Sequence, residues 1–279
     1  MRRRSCAAAI GMAVTLLAPA LQAQTPDLKQ VLHDMANSLG MLRTLQELDS
    51  VMTVEYWGTG TLREVGATIG PAVQLKSYYA QIAYDFPGMR VDMTRTTGQR
   101  EIQVVSGAFA WNEIDKIGGG LDPAWASATP AMGAVSDRLL RLWTTPFGVV
   151  KAAVAAGDKT KVTVEGGATS VTFPLVNGSP GQTVYMVVGD LNGTPVKVTL
   201  NRDHRPERVE VRYHDRVVVT TYTGYGDLND ADYKADIFLP AHVVQTVDGQ
   251  TVLDLTIQKS NTYNPYVIMP VPEVVQKAR

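Results

Sequence analysis

Cysteine is almost absent from this 279-residue chain, because its single cysteine, Cys6, lies in an apolar stretch near the N-terminus. Beyond that position the sequence offers no thiol, which excludes disulfide bonds, thiolate metal ligands and cysteine nucleophiles. We therefore expect the fold to be held together by an apolar core and by backbone hydrogen bonds, for which the chain is long enough.

Histidine is also scarce, and the four histidines are spread out. They are His33, His204, His214 and His242, and no two are closer than ten residues. Zinc-binding patterns such as H-x-H and H-E-x-x-H are therefore missing. The nucleophile pattern G-x-S-x-G and the phosphate-binding pattern G-x-x-x-x-G-K-[ST] do not occur either. We expect no catalytic residue, no bound metal and no cofactor.

One acidic segment is a candidate for a cation site. It contains Asp227, Asp230, Asp232 and Asp236. A calcium loop is one interpretation, and a solvated loop between two strands is the other. The EF-hand pattern needs a glycine at its sixth position, which this segment does not provide. We favour the solvated loop.

The chain also has no large excess of charge of either sign, with 26 basic and 27 acidic residues. The formal net charge is −1, which gives no general attraction to nucleic acid or to an anionic membrane. We expect no nucleic-acid partner.

The first residues have the pattern of a secretory signal peptide. Three arginines at positions 2–4 precede an apolar run from Ala7 to Leu21, which is too short to span a bilayer. We predict a signal peptide over residues 1–23, with Ala20 as the second choice of cleavage site. The mature chain would then begin at Gln24, carry a charge of −1 − 3 = −4 and contain no membrane-spanning segment. We expect it in the periplasm, by the Sec or the Tat route, with secretion from the cell as the alternative.

Residues 209–257 carry the clearest structural pattern. In the run 209–213, the apolar residues Val209, Val211 and Tyr213 alternate with charged ones, and in the run 252–257, Leu253, Leu255 and Ile257 alternate with polar ones. A period of two is typical of strands with one buried and one wet face. The dipeptide at 248–249 is Asp-Gly, which favours a tight hairpin. The segment is therefore predicted to be an antiparallel meander with one apolar face.

The remaining sequence extends this pattern on both sides. We predict helices from about Asp27 to Met41, over 135–143 and over 147–156, and a mobile loop over 116–130 with three glycines at 118–120. The other segments have strand periodicity. The fold class is mainly β (α+β): residues 24–279 form one domain, a curved antiparallel sheet of about ten or eleven strands that makes a half-open β-barrel covered by about three helices.

Three stretches resemble a known family. They are EIQVVSGAFAWN (101–112), LWTTPFGVVKAA (142–153) and LPAHVVQTVDGQTVLDLTI (239–257). They resemble the N-terminal domain that precedes the metallo-β-lactamase-fold hydrolase domain in some exported bacterial proteins. That domain is similar to the LolA/LolB lipoprotein-carrier superfamily. The hydrolase motif H-x-H-x-D-H does not occur here, and Phe147 stands where the relatives' T-P-H-G stretch has histidine. No catalytic residue can be transferred.

The resemblance implies a half-barrel whose helices form a lid over an apolar cavity, which in the lipoprotein carriers holds acyl chains. The partner would be a hydrophobic small molecule or an acyl chain. Leu139, Leu140, Trp143 and Phe147 are expected to share the lid face that touches it. The full set of candidate ligand-binding residues is Tyr56, Tyr78, Met93, Trp111, Leu139, Leu140, Trp143, Phe147, Val211, Tyr213, Leu253 and Leu255.

Two other functions remain open at this point. The protein could be a non-catalytic scaffold or regulatory partner of an exported enzyme, with a filled core. It could also be a hydrolase whose site has no recognised motif. A large cavity would favour the first function over the scaffold, and a cluster of buried acids with perturbed pKa values would favour the hydrolase.

Overall fold

A computed structural model describes residues 26–42, 49–66, 68–113, 128–178, 187–230 and 236–279. The described strands form one antiparallel sheet. They are β1 Thr53–Leu62, β2 Val73–Ala83, β3 Gly88–Arg95, β4 Arg100–Ser106, β5 Phe109–Glu113, β6 Ala128–Pro130, β7 Lys161–Glu165, β8 Ala168–Pro174, β9 Pro195–Leu200, β10 Pro206–Tyr213, β11 Arg216–Asp227, β12 Phe238–Val247 and β13 Gln250–Asn261. The described helices are α1 Leu28–Ser38, α2 Val135–Trp143, α3 Pro146–Ala156 and α4 Glu273–Gln276.

The strand order places the first and last strands side by side in the middle of the sheet. It runs β6-β5-β4-β3-β2-β1-β13-β12-β11-β10-β9-β8-β7. β1 pairs with β13 in a register that sets Glu55 opposite Asn261 and Leu62 opposite Leu253. The sheet does not close, since β6 and β7 remain its two edges. This mainly β architecture, an open curved sheet with a few helices, confirms the predicted fold class.

The meander faces the core as its periodicity predicts. Val211 and Leu255 are each 1% exposed, while Thr256, next to Leu255, is exposed. The turn between β12 and β13 has positive φ at both Asp248 (50°) and Gly249 (80°), as a tight hairpin turn requires. We call the side of the sheet that carries Val211 and Leu255 the helix face, because α1, α2 and α3 pack in the same apolar cluster.

The helices begin where capping chemistry favours a start. The Asp27 side chain accepts a hydrogen bond from the Lys29 N–H (3.3 Å) at the start of α1. Thr145 does the same for Gly148 (3.1 Å) at the start of α3, with Pro146 as the first helical residue. α1 ends at Ser38 rather than near Met41, because Gly40 has φ +76° and a Cβ there would lie 2.0 Å from the Asp236 carbonyl oxygen.

A second apolar cluster lies on the opposite side of the sheet, which we call the tail face. Here Val267, Met269 and Val275, from the chain after β13, pack on strand residues that include Ala83, Ile102, Val104 and Trp111. The segment 266–272 forms no strand. Prolines at 265, 270 and 272 lack the N–H that a ladder needs, and the segment covers the tail face and ends in α4.

A buried carboxylate lies in the middle of the tail face and connects several strands there. Glu55, 3% exposed, accepts hydrogen bonds from the Tyr79 hydroxyl, Gln81 Nε2 (3.0 Å), Asn261 Nδ2 (3.1 Å) and Asn264 Nδ2 (3.0 Å). Strand alternation alone would place Glu55 in water. Four donors replace that water and tie β1 to β2, β13 and the start of the tail.

Several predictions differ from the structure in number or lie outside its described ranges. The described sheet has thirteen strands rather than ten or eleven, partly because the three-residue strand β6 lies where a loop was predicted. α4 is a fourth helix. The signal peptide (1–23), the glycines at 118–120 and Asp232 are outside the described residues. Within those ranges no helix combines the length and the apolar character needed to cross a membrane.

Candidate functional site

A cavity of about 50 Å³ lies on the helix face, beneath the turn between α2 and α3. Strands β1, β2, β11, β12 and β13 form its floor and walls. Most of its surface is apolar and includes Val54, Ile82, Phe147, Val243, Leu253 and Leu255. One water needs about 10–15 Å³ of such space, so the cavity accommodates only a few waters or a few methylene groups.

Two stacked tyrosines form one polar part of the wall. The ring centroids of Tyr56 and Tyr78 are 6.0 Å apart with an interplanar angle of 13°, and their hydroxyls interact with each other. Burial raises the pKa of both hydroxyls above the ordinary tyrosine value, and Arg141, beside Tyr78, opposes part of that rise for Tyr78. Both side chains are therefore neutral hydrogen-bonding groups at physiological pH.

The roof of the cavity is the turn Thr144–Pro146, which two tyrosine hydroxyls hold to the sheet. Tyr222 of β11 donates to the Thr144 carbonyl oxygen (2.6 Å), and the Tyr84 hydroxyl lies 2.8 Å from Thr145 Oγ1. Thr145 Oγ1 donates its own proton to the Leu142 carbonyl oxygen (2.8 Å), so Tyr84 is the donor to Thr145. We call these two contacts the tyrosine latch.

The turn itself is tight and depends on glycine after it. A Cβ on Gly148 would lie 2.6 Å from the Leu142 carbonyl oxygen and 2.7 Å from Thr145 Oγ1. Both distances are shorter than real Cβ contacts, so a larger residue at 148 would push the two helices apart. The sequence therefore specifies a compact α2–α3 corner above the cavity.

Two arginines of α2 have different environments. Arg138 is buried and donates to the carbonyl oxygens of Val104 (2.8 Å) and Trp111 (2.7 Å) and to Asn112 Oδ1 (2.5 Å). Burial lowers its pKa to about 10, so it remains a cation at neutral pH and fixes α2 on β4 and β5. Arg141, one turn later, is half-buried and lines the cavity.

The chemistry of this lining suits binding rather than acid–base catalysis. Its described polar side chains are tyrosine, threonine, glutamine and arginine, and none is Asp, Glu, His, Lys or Cys. Tyrosines with raised pKa values and an arginine supply no base near neutral pH.

The structure brings together part of the predicted site. Five of the predicted residues line the cavity: Tyr56, Tyr78, Phe147, Leu253 and Leu255. Five others belong to the surrounding apolar cluster without lining it: Met93, Leu139, Leu140, Trp143 and Val211. Tyr213 is half-buried and packs against this cluster. Phe147, at the position where the resembling family has histidine, is 1% exposed.

Trp111 lies on the other side of the sheet. It pairs with Val104 across β4 and β5 and joins the tail-face cluster with Met269 and Val275. Its indole N–H donates to Glu113 Oε1 (3.1 Å). The prediction that it borders the cavity is therefore wrong. Both faces of β5 are covered, with Ala110 at 0% and Trp111 at 2% exposure, so local periodicity could not distinguish them.

The lid face is also rotated from its predicted position. Trp143 is fully buried and donates its indole N–H to the Val187 carbonyl oxygen (2.9 Å), away from the cavity. α2 ends at Trp143, and the residues that follow do not continue its helical spacing. The cavity is consequently faced by Arg141, Thr144, Thr145 and Phe147 rather than by Leu139, Leu140 and Trp143.

Two functional side chains that line the cavity were not predicted from the sequence: Tyr222 and Arg141. Alternation within β11 places Thr220 and Tyr222 together on the buried side, which was a usable signal for Tyr222. Nothing local marks Arg141, because its partner, Tyr78, is remote in sequence.

The described residues contain no group of three or more His, Cys, Asp or Glu side chains arranged to hold a metal. In the acidic segment, Asp230 forms an ion pair with Lys259 (3.1 Å) and Asp227 accepts from the Asn229 backbone N–H (3.1 Å). Asp232 lies outside the described ranges.

Comparison with family models and with curated proteins finds no match. Among solved structures, the chain is similar to the lipoprotein LppX of Mycobacterium tuberculosis, with 13% identity, a TM-score of 0.24, and coverage of 68% of this chain and 91% of that one. It is also similar to a chain of the Pseudomonas aeruginosa MucA/MucB complex, with 11% identity, a TM-score of 0.22, and coverage of 88% of this chain and 60% of that one. Because both TM-scores are low, these two similarities carry no argument about function.

Proposed function

We propose that this protein is an exported, periplasmic binding module for a hydrophobic molecule such as an acyl chain. The observation that carries this proposal is the mainly apolar cavity between the open sheet and the α2–α3 corner. Its lining offers apolar contact along most of its surface and hydrogen-bond donors at a few positions, which is the usual composition of a small-molecule site.

On this proposal the arrangement described above is the closed form. Sites for drug-sized ligands measure about 300–1,000 Å³, against about 50 Å³ here. An acyl chain therefore requires the roof to move. The tyrosine latch contributes roughly 0.5–1.5 kcal/mol for each of its two hydrogen bonds, and withdrawing Phe147 from the core costs about 1.5–3 kcal/mol.

A chain of moderate length can offset that opening cost. The sum is about 2.5–6 kcal/mol, and burial of each methylene group contributes about 0.8 kcal/mol. About three to eight methylene groups would then balance it. We therefore expect measurable binding only for chains longer than this, and a steep rise in affinity with chain length.

A homologous series of fatty acids, measured by isothermal titration calorimetry, tests the proposal. Each added methylene group should increase affinity about fourfold. Val243→Phe should fill the cavity and abolish binding, because Val243 lines it. Val244→Phe is the matched control, since Val244 is the next residue in β12 and points to the opposite face. No binding to the unsubstituted protein, or equal binding by both variants, would refute a carrier function.

The small volume supports a second candidate, a non-catalytic scaffold or regulatory partner of an exported enzyme with a filled core. The sequence resemblance to domains that precede hydrolases adds to it. On this alternative, fatty acids do not bind. Chemical cross-linking in periplasmic extracts should then recover one exported enzyme, and Val243→Phe should leave that cross-link intact.

A further inference from the structure

Arg141 is a cation in the cavity wall whose hydrogen-bonding capacity is largely unused. A guanidinium has five N–H donors. Arg141 Nη1 makes one long contact with Gln103 Oε1 (3.4 Å), and the side chain also interacts with the Tyr78 hydroxyl. No carboxylate of the described chain lies within ion-pair distance of it.

The charged groups around Arg141 do not provide it with an ion-pair partner. Arg138, one turn earlier, is close enough to repel Arg141. Two acids, Glu101 and the exposed Asp137, also act on Arg138. Glu101 is engaged elsewhere, because it accepts from Gln103 Nε2 (2.7 Å) and lies 3.6 Å from Arg95. Arg141 therefore lies beside a second cation and has no ion-pair partner among the described carboxylates.

The two stacked tyrosines extend this polar end of the cavity. Tyr78 touches Arg141 and Tyr56 touches Tyr78, so two neutral hydroxyls stand beside the guanidinium. The apolar wall formed by Phe147, Val243 and Leu255 completes the same cavity. A polar cationic end and an apolar remainder match a molecule with an anionic head and a hydrocarbon tail.

We propose that Arg141, together with Tyr78 and Tyr56, binds the anionic headgroup of a single-chain amphiphile whose tail occupies the apolar part of the cavity. This inference rests on the proposed binding function and specifies its ligand class. The planar guanidinium fork suits a carboxylate or a phosphate in bidentate geometry. The anion would also neutralise a partly buried cation that lacks a carboxylate partner in the described chain.

The test compares four ligands with the same twelve-carbon tail: dodecanoate, dodecyl phosphate, dodecanol and dodecyltrimethylammonium. Binding to the full mature chain is measured by calorimetry. The unsubstituted protein should bind at least one of the two anions about tenfold or more tighter than dodecanol, and the cation more weakly than dodecanol. The anion that binds tighter identifies the headgroup.

Substitution of the arginine separates a local contact from a general charge effect. Arg141→Met should reduce anion affinity to the level of dodecanol while dodecanol affinity stays within about twofold, and Arg141→Lys should restore part of the loss. Arg212→Met is the control, since it removes the same charge from an exposed position on β10. This substitution should leave the affinity for all four ligands unchanged.

The possible outcomes separate this inference from the function beneath it. Equal binding of dodecanol and both anions, or an anion preference that survives Arg141→Met, would overturn the headgroup assignment and leave the carrier function standing. Binding of none of the four ligands would overturn both.

Discussion

Tyr222→Phe tests whether the α2–α3 turn is the moving part of the protein. The substitution removes the hydroxyl that donates to the Thr144 carbonyl oxygen at 2.6 Å. Thr144 is only 3% exposed, so its carbonyl loses a partner in a place that water does not reach. Leaving a buried acceptor unpaired costs about 1–3 kcal/mol. Urea denaturation should show this loss in the free energy of unfolding.

Ligand binding should change in the opposite direction. When the roof lifts, the Thr144 carbonyl meets water, so the hydrogen bond stabilises the closed form alone. Removing a net contribution of about 1 kcal/mol makes opening about fivefold more frequent. If the open form is the one that binds, apparent affinity rises by the same factor. The variant would be less stable yet bind fatty acid more tightly.

The kinetics distinguish this effect from a simple change of cavity lining. Easier opening increases the association rate constant, whereas a more apolar lining slows dissociation. Stopped-flow mixing with a fluorescent fatty acid measures both constants.

Tyr225→Phe provides the matched control. Tyr225 lies on the same strand and donates to the Pro206 carbonyl oxygen at 2.6 Å, but it does not line the cavity. Its loss should lower stability by a similar amount without changing either rate constant. If Tyr222→Phe leaves association unchanged, or if both variants accelerate it equally, the turn is not the gate.

Three further predictions concern stability, ionisation and export. In urea titrations, Leu255→Ala should lower the free energy of unfolding by roughly 2–5 kcal/mol. Thr256→Ala, at the exposed neighbouring position, should lower it by about 0.5 kcal/mol or less. Equal losses would mean that the assignment of the buried side of β13 is wrong. Burial raises the pKa of several tyrosines in the folded protein, so their contribution is complete below the unfolded pKa of about 10 and declines as pH rises above it. These tyrosines are Tyr56, Tyr78, Tyr79, Tyr84, Tyr222 and Tyr225. An ultraviolet titration should therefore show them ionising together with alkaline unfolding. Ionisation of all of them before the protein unfolds would contradict their burial. The intact mass of the periplasmic protein should correspond to a chain starting at Gln24, and a retained N-terminus would identify residues 7–21 as an anchor.

The sequence predicts which side of a strand is buried wherever one face of the sheet is wet. Val209 and Leu255 follow this rule, and so does the hairpin at Asp248–Gly249, because each depends on local geometry alone. The start of α3 is likewise predictable from the sequence, since Thr145 and Pro146 determine it through contacts within one turn.

The candidate site was only partly predictable because its decisive contacts are long-range. Trp111 lies on a strand covered on both faces, and its cover comes from Met269 and Val275 near the end of the chain. Trp143 is fixed by the Val187 carbonyl. Periodicity identifies buried side chains, but whether a buried residue meets a cavity or another side chain depends on how separate segments pack.

The pairing of β1 with β13 also determines when the protein can fold. Glu55 and Asn261 are 206 residues apart, yet their side chains meet in the middle of the sheet. Strands β1–β6 and β7–β13 can each assemble as local meanders while the chain is synthesised. The two halves join only after the last strand has emerged. Until then β1 and β13 each present an unpaired edge, and closing so long a loop slows folding. A nascent chain of this protein thus lacks the central strand pair of its sheet until β13 is complete.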